Sequence, residues 1–309
     1  MTDISPAVIK DLREKTGAGM MDCKKALAET KGNFEEAIDW LRKKGMAASA
    51  KKAGRTAAEG LIGIFSQGTK AAIIELNAET DFVSRNDKFQ GLVQAIAEHA
   101  LAAKGDINAL NDFVCPKAGK KVSEVVAETV GTIGENLVLR RSDYVEVKDG
   151  VVSTYLHSAV NDKLGKIGVL VGLESTGDKA KLNVIGKQLA MHIAAARPES
   201  VSTDALDKNL IERERQIFSE QARASGKPDN IIEKMVDGRI RKFYEEVVLL
   251  EQPFIIDGKT KVSEVLKAAE KDVGAPIKVT RFARFALGEG IEKQASNFAE
   301  EVAAAAGMR

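Results

Sequence analysis

The sequence has few of the residues that build disulfide-rich or zinc-binding proteins. It contains two cysteines, Cys23 and Cys115, which lie far apart in the chain and are too few for a disulfide framework or a four-ligand zinc site. Aromatic residues make up 5% of the chain, with a single tryptophan. Each aromatic side chain in an unusual place is therefore informative.

Long hydrophobic segments are also missing. No apolar run reaches the roughly 18 residues that a membrane-spanning helix needs, and the start, MTDISPAVIK, lacks the apolar stretch of a secretory signal. The same segment lacks the basic, acid-poor character of an organellar transit peptide. We therefore expect a soluble protein of the bacterial cytoplasm that has no membrane partner.

The charges of the chain nearly cancel. There are 46 Lys and Arg residues against 45 Asp and Glu residues, so the formal net charge is +1. Proteins that bind nucleic-acid phosphates usually carry a clear basic excess, and we therefore expect no direct nucleic acid partner. The 309 residues, of which 44% are hydrophobic, suggest about two globular units at roughly 150 residues per domain.

Catalytic motifs are absent from the sequence as well. The three histidines, His99, His157 and His192, form no H-E-x-x-H motif and accompany no serine or cysteine signature. The segment 172–179 resembles a phosphate-binding loop, but its lysine does not directly follow the second glycine. We expect a protein that is not an enzyme and that holds no cofactor or metal.

The first 45 residues predict a small three-helix domain. Apolar residues recur at helical spacing over 4–12, and a second helix is predicted over 20–29. Asn33 is a favourable N-cap for a third helix, and Glu36 stands at the capping-box position. The segment 46–60 is rich in Ala, Lys and Gly and is typical of a linker, either irregular or partly helical.

Residues 61–148 predict a first α+β subdomain. Its predicted elements are strands at 61–65 and 71–77, a helix at 89–103, a polar loop through Lys121 and a strand at 137–147. Turn residues between the first two strands indicate a β-hairpin. The turn signal at 148–150 leads us to expect a second hairpin, between the last strand and residues 151–157.

Residues 149–289 repeat this pattern in a second predicted subdomain. A strand at 167–173, a helix at 182–196 and a strand at 279–289 follow in the same order, so we expect a duplicated core of the α+β class. Charged, periodic helices over 204–224 and 230–244 predict an antiparallel helical hairpin that projects from this half. The last segment, 290–309, predicts a C-terminal helical module.

One polar turn carries an unexpected aromatic residue. The buried strand at 71–77 is followed by Ala-Glu-Thr-Asp-Phe-Val-Ser-Arg-Asn-Asp, and the corresponding turn of the second half has no aromatic residue. The local pattern leaves two alternatives open for Phe82. Its ring either turns inward and fills the core below the helix, or protrudes as an aromatic anchor for a partner.

Three segments together resemble the bacterial elongation factor Ts family. They are DLREKTGAGMMDCKKALAETKGNFEEAIDWLRKKG at 11–45, ELNAETDFVSRNDKF at 75–89 and FARFALGEGIEK at 282–293. The resemblance implies an N-terminal ubiquitin-associated-type domain, two related α+β subdomains, a protruding hairpin and a C-terminal module. It also implies the activity of a nucleotide exchange factor, which binds elongation factor Tu and speeds GDP release without covalent chemistry.

The resemblance also implies roles for particular residues. The stretch that dislodges the magnesium ion of elongation factor Tu corresponds to Thr80, Asp81, Phe82 and Val83. The N-terminal surface that touches the G domain of the partner, as the Asp-Phe pair also does, corresponds to Met20, Met21 and Lys24. His157 falls where the second subdomain meets another domain of the partner.

Two other functions are compatible with parts of the chain. The first 45 residues could serve a ubiquitin-associated-type adaptor that binds a different helix or peptide, with the core as a scaffold. An enzyme with an unfamiliar site is the other alternative, although no residue pattern favours it. Co-purification distinguishes an exchange factor from an adaptor. An exchange factor retains nucleotide-free elongation factor Tu and loses it when GDP is added.

Overall fold

The computed structural model describes residues 4–16, 18–224 and 228–292. These residues contain ten α-helices: α1 (Pro6–Thr16), α2 (Met20–Glu29), α3 (Phe34–Lys52), α4 (Asp87–Ala102), α5 (Ile107–Asp112), α6 (Val122–Ile133), α7 (Lys179–Ala196), α8 (Lys208–Arg223), α9 (Asp229–Val247) and α10 (Val262–Val273). They also contain nine strands: β1 (Glu59–Gln67), β2 (Lys70–Ala78), β3 (Val114–Cys115), β4 (Lys120–Lys121), β5 (Leu137–Glu146), β6 (Gly150–His157), β7 (Leu164–Gly165), β8 (Ile167–Glu174) and β9 (Lys278–Ala286). The fold is therefore of the α+β class, as predicted.

Two antiparallel sheets pack face to face between layers of helices. The first sheet has the order β5-β2-β1-β7, and the second has the order β6-β8-β9. The cluster between the sheets joins Ile62 and Ile73 of the first sheet to Leu170 and Phe285 of the second. Helices α4 and α6 cover the outer face of the first sheet, and α7 and α10 cover the outer face of the second. Because both faces are covered, β1 and β2 are almost continuously apolar and buried.

The two halves use the same element order. Each half contains a strand pair, a long helix, a 12-residue helix and a closing strand in this order, with α5, β3 and β4 inserted in the first half and β7, α8 and α9 in the second. The 12-residue helices α6 and α10 end at left-handed cap glycines, Gly134 and Gly274. The closing strands β5 and β9 carry a bulge at the same place, opposite Glu75/Leu76 and Gly172/Leu173. The two halves therefore share a cap glycine and a bulge at corresponding places.

The third helix is longer than predicted. It continues through Lys52, so the first seven positions of the predicted linker over 46–60 are helical and only residues 53–58 connect α3 to β1. Ala and Lys, which fill this segment, favour helix. Gly45 lies inside the helix, where α3 crosses α6: a Cβ atom on Gly131 of α6 would lie 2.6 Å from the Cα atom of Gly45.

The predicted hairpin between residues 137–147 and 151–157 does not form. Strand β5 pairs with β2 in the first sheet, whereas β6 pairs with β8 in the second. The turn at 148–150 therefore carries the chain from one sheet to the other. A turn signal predicts a reversal of the chain but not the hydrogen-bonding partner, which the long ladders with β2 and β8 determine here.

The loop through Lys121 and the helical hairpin of the second half were also predicted. The segment predicted as a polar loop through Lys121 contains α5 and the two-stranded ribbon β3–β4. Helices α8 and α9 pack against each other around Ile232, Val236 and Ile240, as a helical hairpin requires. The turn residues 225–227 and the predicted helix of the C-terminal module, from 293 onward, lie outside the described residues. Among the described helices, none has both the length and the apolar character needed to cross a membrane.

Candidate functional site

The aromatic turn is an addition to the first half of the core. Between β2 and α4 the chain forms a turn of 3-10 helix, Asp81–Arg85, and then Asn86 caps α4. In the second half, Asp178 caps α7 four positions after the end of β8 and no such turn intervenes. The scaffold therefore does not need the segment 81–85 to join a strand to a helix, which favours a role outside the core. We call residues 79–86 the aromatic loop.

Phe82 and Val83 point in opposite directions. The side chain of Phe82 is 74% exposed, whereas Val83 is 5% exposed and belongs to the apolar cluster below α4. The inward alternative for Phe82 is therefore wrong, and Val83 fills the core in its place. A large exposed ring on a loop that is anchored by its neighbour is suited to insertion into a partner.

The base of the aromatic loop is held by Glu135. The Thr80 amide donates to Oε2 of Glu135 at 2.9 Å, and the Thr80 hydroxyl donates to Oε1 of the same carboxylate at 2.6 Å. Glu135 follows the cap glycine of α6. The two hydrogen bonds therefore attach the loop to the turn between α6 and β5.

A second set of contacts lies beside the first. The Glu79 carboxylate accepts the Asn136 amide at 2.6 Å and pairs with Arg55 at 3.3 Å. The Asn136 side chain donates to the Arg55 carbonyl at 2.8 Å. Since Arg55 lies in the short connection after α3, this network also links the loop to the path that leads from the N-terminal helices.

The far side of the loop closes on itself. The Ser84 hydroxyl donates to the Asp81 carbonyl at 2.5 Å, and the Gln90 side chain of α4 donates to the Ser84 carbonyl at 2.9 Å. The Asn86 side chain accepts the Lys88 and Phe89 amides as the N-cap of α4. Phe82 is thus presented from a loop whose neighbouring residues are hydrogen-bonded on both sides.

Asp81 lies next to Phe82 on the exposed side of the loop. Its backbone carbonyl closes the turn, but within the described residues its carboxylate makes no hydrogen bond and no ion pair. A free carboxylate beside a protruding ring can repel a phosphate or compete for the donors around a bound magnesium ion.

The predicted N-terminal contact residues are also on the surface. Met20 is 57% and Met21 74% exposed, and Lys24 lies on the same exposed side of α2. Exposed methionines are adaptable contact residues. Two neighbours on α2, Cys23 and Leu27, are buried in the core of the three helices, so the burial of α2 fixes which of its residues face outward.

Helix α6 connects the N-terminal helices to the aromatic loop. Arg42 of α3 pairs with Glu128 of α6 at 2.9 Å, and Lys52 of α3 donates to the Gly134 carbonyl at the end of α6. The next residue, Glu135, holds the loop. The aromatic loop is thus attached to the end of α6 through Glu135, and the helices that include α2 are attached to α6 through α3. The orientation of both surfaces therefore depends on α6.

His157 lies apart from these groups, at the end of β6 in the second sheet. It is exposed, and its Nδ1 atom lies 3.1 Å from the Tyr155 hydroxyl. No contact in the described part of the chain joins it to the aromatic loop or to α2. A partner that touches all three regions must therefore extend over both halves of the core.

Metal and thiol chemistry find no support in the described ranges. Those ranges contain no group of three His, Cys, Asp or Glu side chains placed to hold a metal ion. Cys23 and Cys115 are free and buried, and burial raises the pKa of each thiol. A raised thiol pKa disfavours the reactive thiolate.

Of the two other histidines, His99 is half-buried and His192 lies in the core. His99 stacks on Phe113 with ring centroids 4.7 Å apart, and burial lowers the pKa of His99 while Glu98 raises it. His192 is completely buried. Its Nδ1 atom accepts the Ile255 amide at 3.2 Å, so the proton lies on Nε2, which donates to the Gln252 side chain at 2.9 Å.

Low pH should lower the stability of the second half of the core through protonation of His192. Burial lowers the pKa of His192 below its ordinary value of 6.5 in spite of the hydrogen bond to Gln252, so the unfolded chain binds the proton first as the pH falls. The stability contributed by neutral His192 is therefore present above about pH 6.5 and is lost as the pH falls through its folded-state pKa. We expect the melting temperature to fall between pH 7.5 and 5.5, at roughly 2–4 °C for each kcal/mol lost.

The variant His192→Gln should flatten this pH dependence, even if the variant is less stable at every pH. The control His157→Gln removes an exposed histidine and should keep the wild-type slope. Thermal unfolding followed by circular dichroism at both pH values checks this. An equal slope in His192→Gln and the wild-type protein would contradict the assignment.

Comparisons with known proteins give one consistent result. The model of the family described as "Elongation factor TS" matches residues 79–289. The chain is 60% identical over 305 residues to the elongation factor Ts of Rhizobium leguminosarum bv. trifolii, and the match covers 99% of each chain. It is 61% identical over 305 residues to that of Rhodospirillum rubrum, covering 98% of this chain and 99% of the relative.

Proposed function

The chain belongs to the elongation factor Ts family, and on this premise we propose that it binds elongation factor Tu in its GDP-bound and nucleotide-free forms and promotes release of GDP. GTP then enters the emptied site. No covalent step is involved, and we place the activity in the bacterial cytoplasm. The finer description of the fold belongs to the same proposal: an N-terminal ubiquitin-associated-type domain, a duplicated core with a protruding hairpin, and a C-terminal helical module.

The observation that carries the proposal is the exposure of Phe82 on an anchored loop. The ring is 74% exposed, while the next residue is buried and the preceding Asp81 and Thr80 are fixed by hydrogen bonds. We propose that Thr80, Asp81, Phe82 and Val83 form the segment that disturbs the magnesium and phosphate site of the partner. Within it, Thr80 and Val83 hold the loop, and Asp81 and Phe82 make the contact.

An exchange factor acts by differential binding. It must bind the empty form of its partner more tightly than the loaded form, because equal affinity for both shifts nothing. The coupling is reciprocal, so GDP weakens the binding of the factor by the same ratio that the factor weakens GDP. Moving a two-state equilibrium from 1:99 to 99:1 requires about 5.5 kcal/mol of differential binding energy.

Phe82 supplies only part of this energy. Burial of a phenylalanine side chain contributes about 1.5–3 kcal/mol, and it does so only when the partner opens a pocket for the ring. Met20, Met21 and Lys24 on α2, together with His157 on β6, extend the proposed contact over a wider surface. We propose that these residues secure the partner while the aromatic loop distinguishes its empty form from its loaded form.

Asp81 adds an electrostatic effect to the insertion of the Phe82 ring. Magnesium requires near-ideal octahedral geometry, so a small shift of its surroundings weakens it disproportionately. The free Asp81 carboxylate would lie beside the ring that causes this shift. We propose that the two side chains act together, the ring by displacing neighbouring groups and the carboxylate by repelling the phosphate.

The proposal predicts that the purified chain accelerates GDP release from elongation factor Tu. Stopped-flow release of a fluorescent GDP analogue measures the rate, and linkage predicts that a stable complex forms without nucleotide and dissociates when GDP is added. The control is the same assay with the partner alone. A chain that binds elongation factor Tu but leaves its release rate unchanged would contradict the proposal and favour an adaptor.

A further inference from the structure

We infer that Glu135 is a positioning residue that fixes the aromatic loop for nucleotide exchange. It acts through Thr80 and so determines where Phe82 is presented, without touching the partner itself. The inference rests on the proposed function of the loop. It adds a residue outside Thr80–Val83 to the exchange machinery, on a different segment of the chain.

The contacts of Glu135 are devoted to the loop. Both oxygens of its half-buried carboxylate accept hydrogen bonds from Thr80, at 2.9 Å from the amide and 2.6 Å from the hydroxyl. Within the described residues it makes no other hydrogen bond and no ion pair. A carboxylate that accepts two hydrogen bonds from one residue fixes both the position and the direction of the backbone there.

The second half of the core has no counterpart of this device. Counted from the cap glycines Gly134 and Gly274, the position of Glu135 corresponds to Ala275. There the turn after β8 instead bonds directly to the helix end: the Asp178 amide donates to the Val273 carbonyl at 2.9 Å. The half without an aromatic loop thus carries no carboxylate at this position, which indicates that Glu135 serves the loop and not the sheet-to-helix connection.

The physical reason is pre-organisation. Phe82 must enter a pocket that exists only in the opened partner, and a loop that first has to be ordered loses part of the available binding energy. Two hydrogen bonds to Thr80, two residues before the ring, remove that ordering step. Loss of Glu135 should therefore lower the maximal rate of GDP release more than it raises the factor concentration needed for half of that rate.

The experiment compares three changes in the full chain with purified elongation factor Tu. Glu135→Ala removes both acceptors. Glu135→Gln keeps an oxygen for the Thr80 amide and offers an NH₂ group to the Thr80 hydroxyl, so it can preserve both bonds. Glu98→Ala removes an exposed acid from α4 and is the control. Each is measured for maximal release rate, half-saturating concentration and melting temperature.

We expect Glu135→Ala to lower the maximal release rate about three- to tenfold with less than about a twofold change in the half-saturating concentration. Glu135→Gln and Glu98→Ala should remain within about twofold of the wild-type protein on both measures. In a Phe82→Ala background, Glu135→Ala should cause a smaller loss than in the wild-type background, because the positioned ring is then absent and only Asp81 remains to be positioned.

The outcomes separate this inference from the proposed function. A wild-type chain that does not accelerate GDP release would overturn both. A Phe82→Ala variant as active as the wild type would remove the ring from the mechanism, and the positioning role of Glu135 with it, but would leave the exchange activity itself in place. If the wild type is active and Phe82→Ala is impaired, two results overturn the positioning role alone. One is a Glu135→Ala variant with the wild-type rate, and the other is a loss of rate that persists unchanged in the Phe82→Ala background.

Discussion

Replacing Phe82 with alanine is expected to slow stimulated GDP release tenfold or more without lowering the melting temperature. The ring is 74% exposed, so its removal leaves no cavity in the protein. At the interface the same ring would be a buried aromatic hot spot, for which a loss of about 2 kcal/mol is typical. Each 1.36 kcal/mol of transition-state energy changes a rate tenfold, so about 2 kcal/mol gives the expected reduction.

The neighbouring residue provides a matched control with the opposite behaviour. Val83 is buried in the cluster below α4, so Val83→Ala should lower the melting temperature because it creates a cavity. Stopped-flow release of a fluorescent GDP analogue and thermal unfolding are measured for both variants. Wild-type stimulation by Phe82→Ala would remove the ring from the mechanism, and a melting temperature several degrees lower would show that the ring supports the core.

A large loss of stability is expected when Glu75 is replaced with alanine. Its carboxylate is completely buried in the first sheet and lies 3.2 Å from Arg140 and 2.5 Å from Arg141. It also accepts the Gly288 amide at 2.8 Å. Removing one partner of a buried ionic group destabilises a protein by about 3–5 kcal/mol, because the remaining groups lose their compensation.

The position of Glu75 explains why the effect should spread beyond its own strand. Arg140 donates to the Glu289 carbonyl at 2.7 Å, and Arg141 donates to the Ala286 carbonyl at 2.9 Å. The carboxylate thus orients the two arginines that hold the turn after β9. Its loss should loosen the attachment of this turn to the first sheet.

Glu146 at the end of β5 is the matched control for Glu75. It pairs with Lys70 across the strands at 3.0 Å, with both side chains largely in solvent, and such surface pairs contribute about 0–1 kcal/mol. Chemical denaturation of Glu75→Ala and Glu146→Ala measures both free energies of unfolding. Equal, small losses would show that the buried cluster contributes no more to stability than the surface pair does.

The elements that the sequence predicts well are those whose pattern is local. Strands β1 and β2 are predicted by apolar runs around turn residues, and α3 by Asn33, whose side chain accepts the Glu36 amide as expected of a cap. The helices α4 and α7 have clear periodicity. In each case the signal lies within the element itself, and no distant residue is needed to interpret it.

The wrong predictions depend on contacts between distant segments. The hairpin expected at 148–150 is the example: the adjacent turn does not determine the partner of β5, which pairs with β2 of the first sheet. Two helices that the sequence analysis did not predict, α6 and α10, share a sequence repeat. Lys-Val-Ser-Glu-Val occurs at 121–125 and again at 261–265, at the start of each helix, so this repeat could have indicated both.

The candidate site shows the same division. Phe82 stands out in the sequence because an aromatic residue interrupts a polar turn. The sequence does not show that its ring points outward, because this depends on Val83, which fills the core below α4 instead. Glu135 gives no signal at all, since it lies 55 residues from Thr80 in the chain. Only the packing of the α6–β5 turn against the aromatic loop brings the two residues together.

The order of strands also bears on how the chain folds during synthesis. Strands β1, β2 and β5 of the first sheet are complete once residue 146 has been made, whereas β8 receives its partner β9 only after residue 286. Closing so long a segment is slow, and unpaired strand edges invite association with other chains. We therefore expect the second sheet to form late. Until it forms, the apolar inner face of the first sheet should stay uncovered on the ribosome.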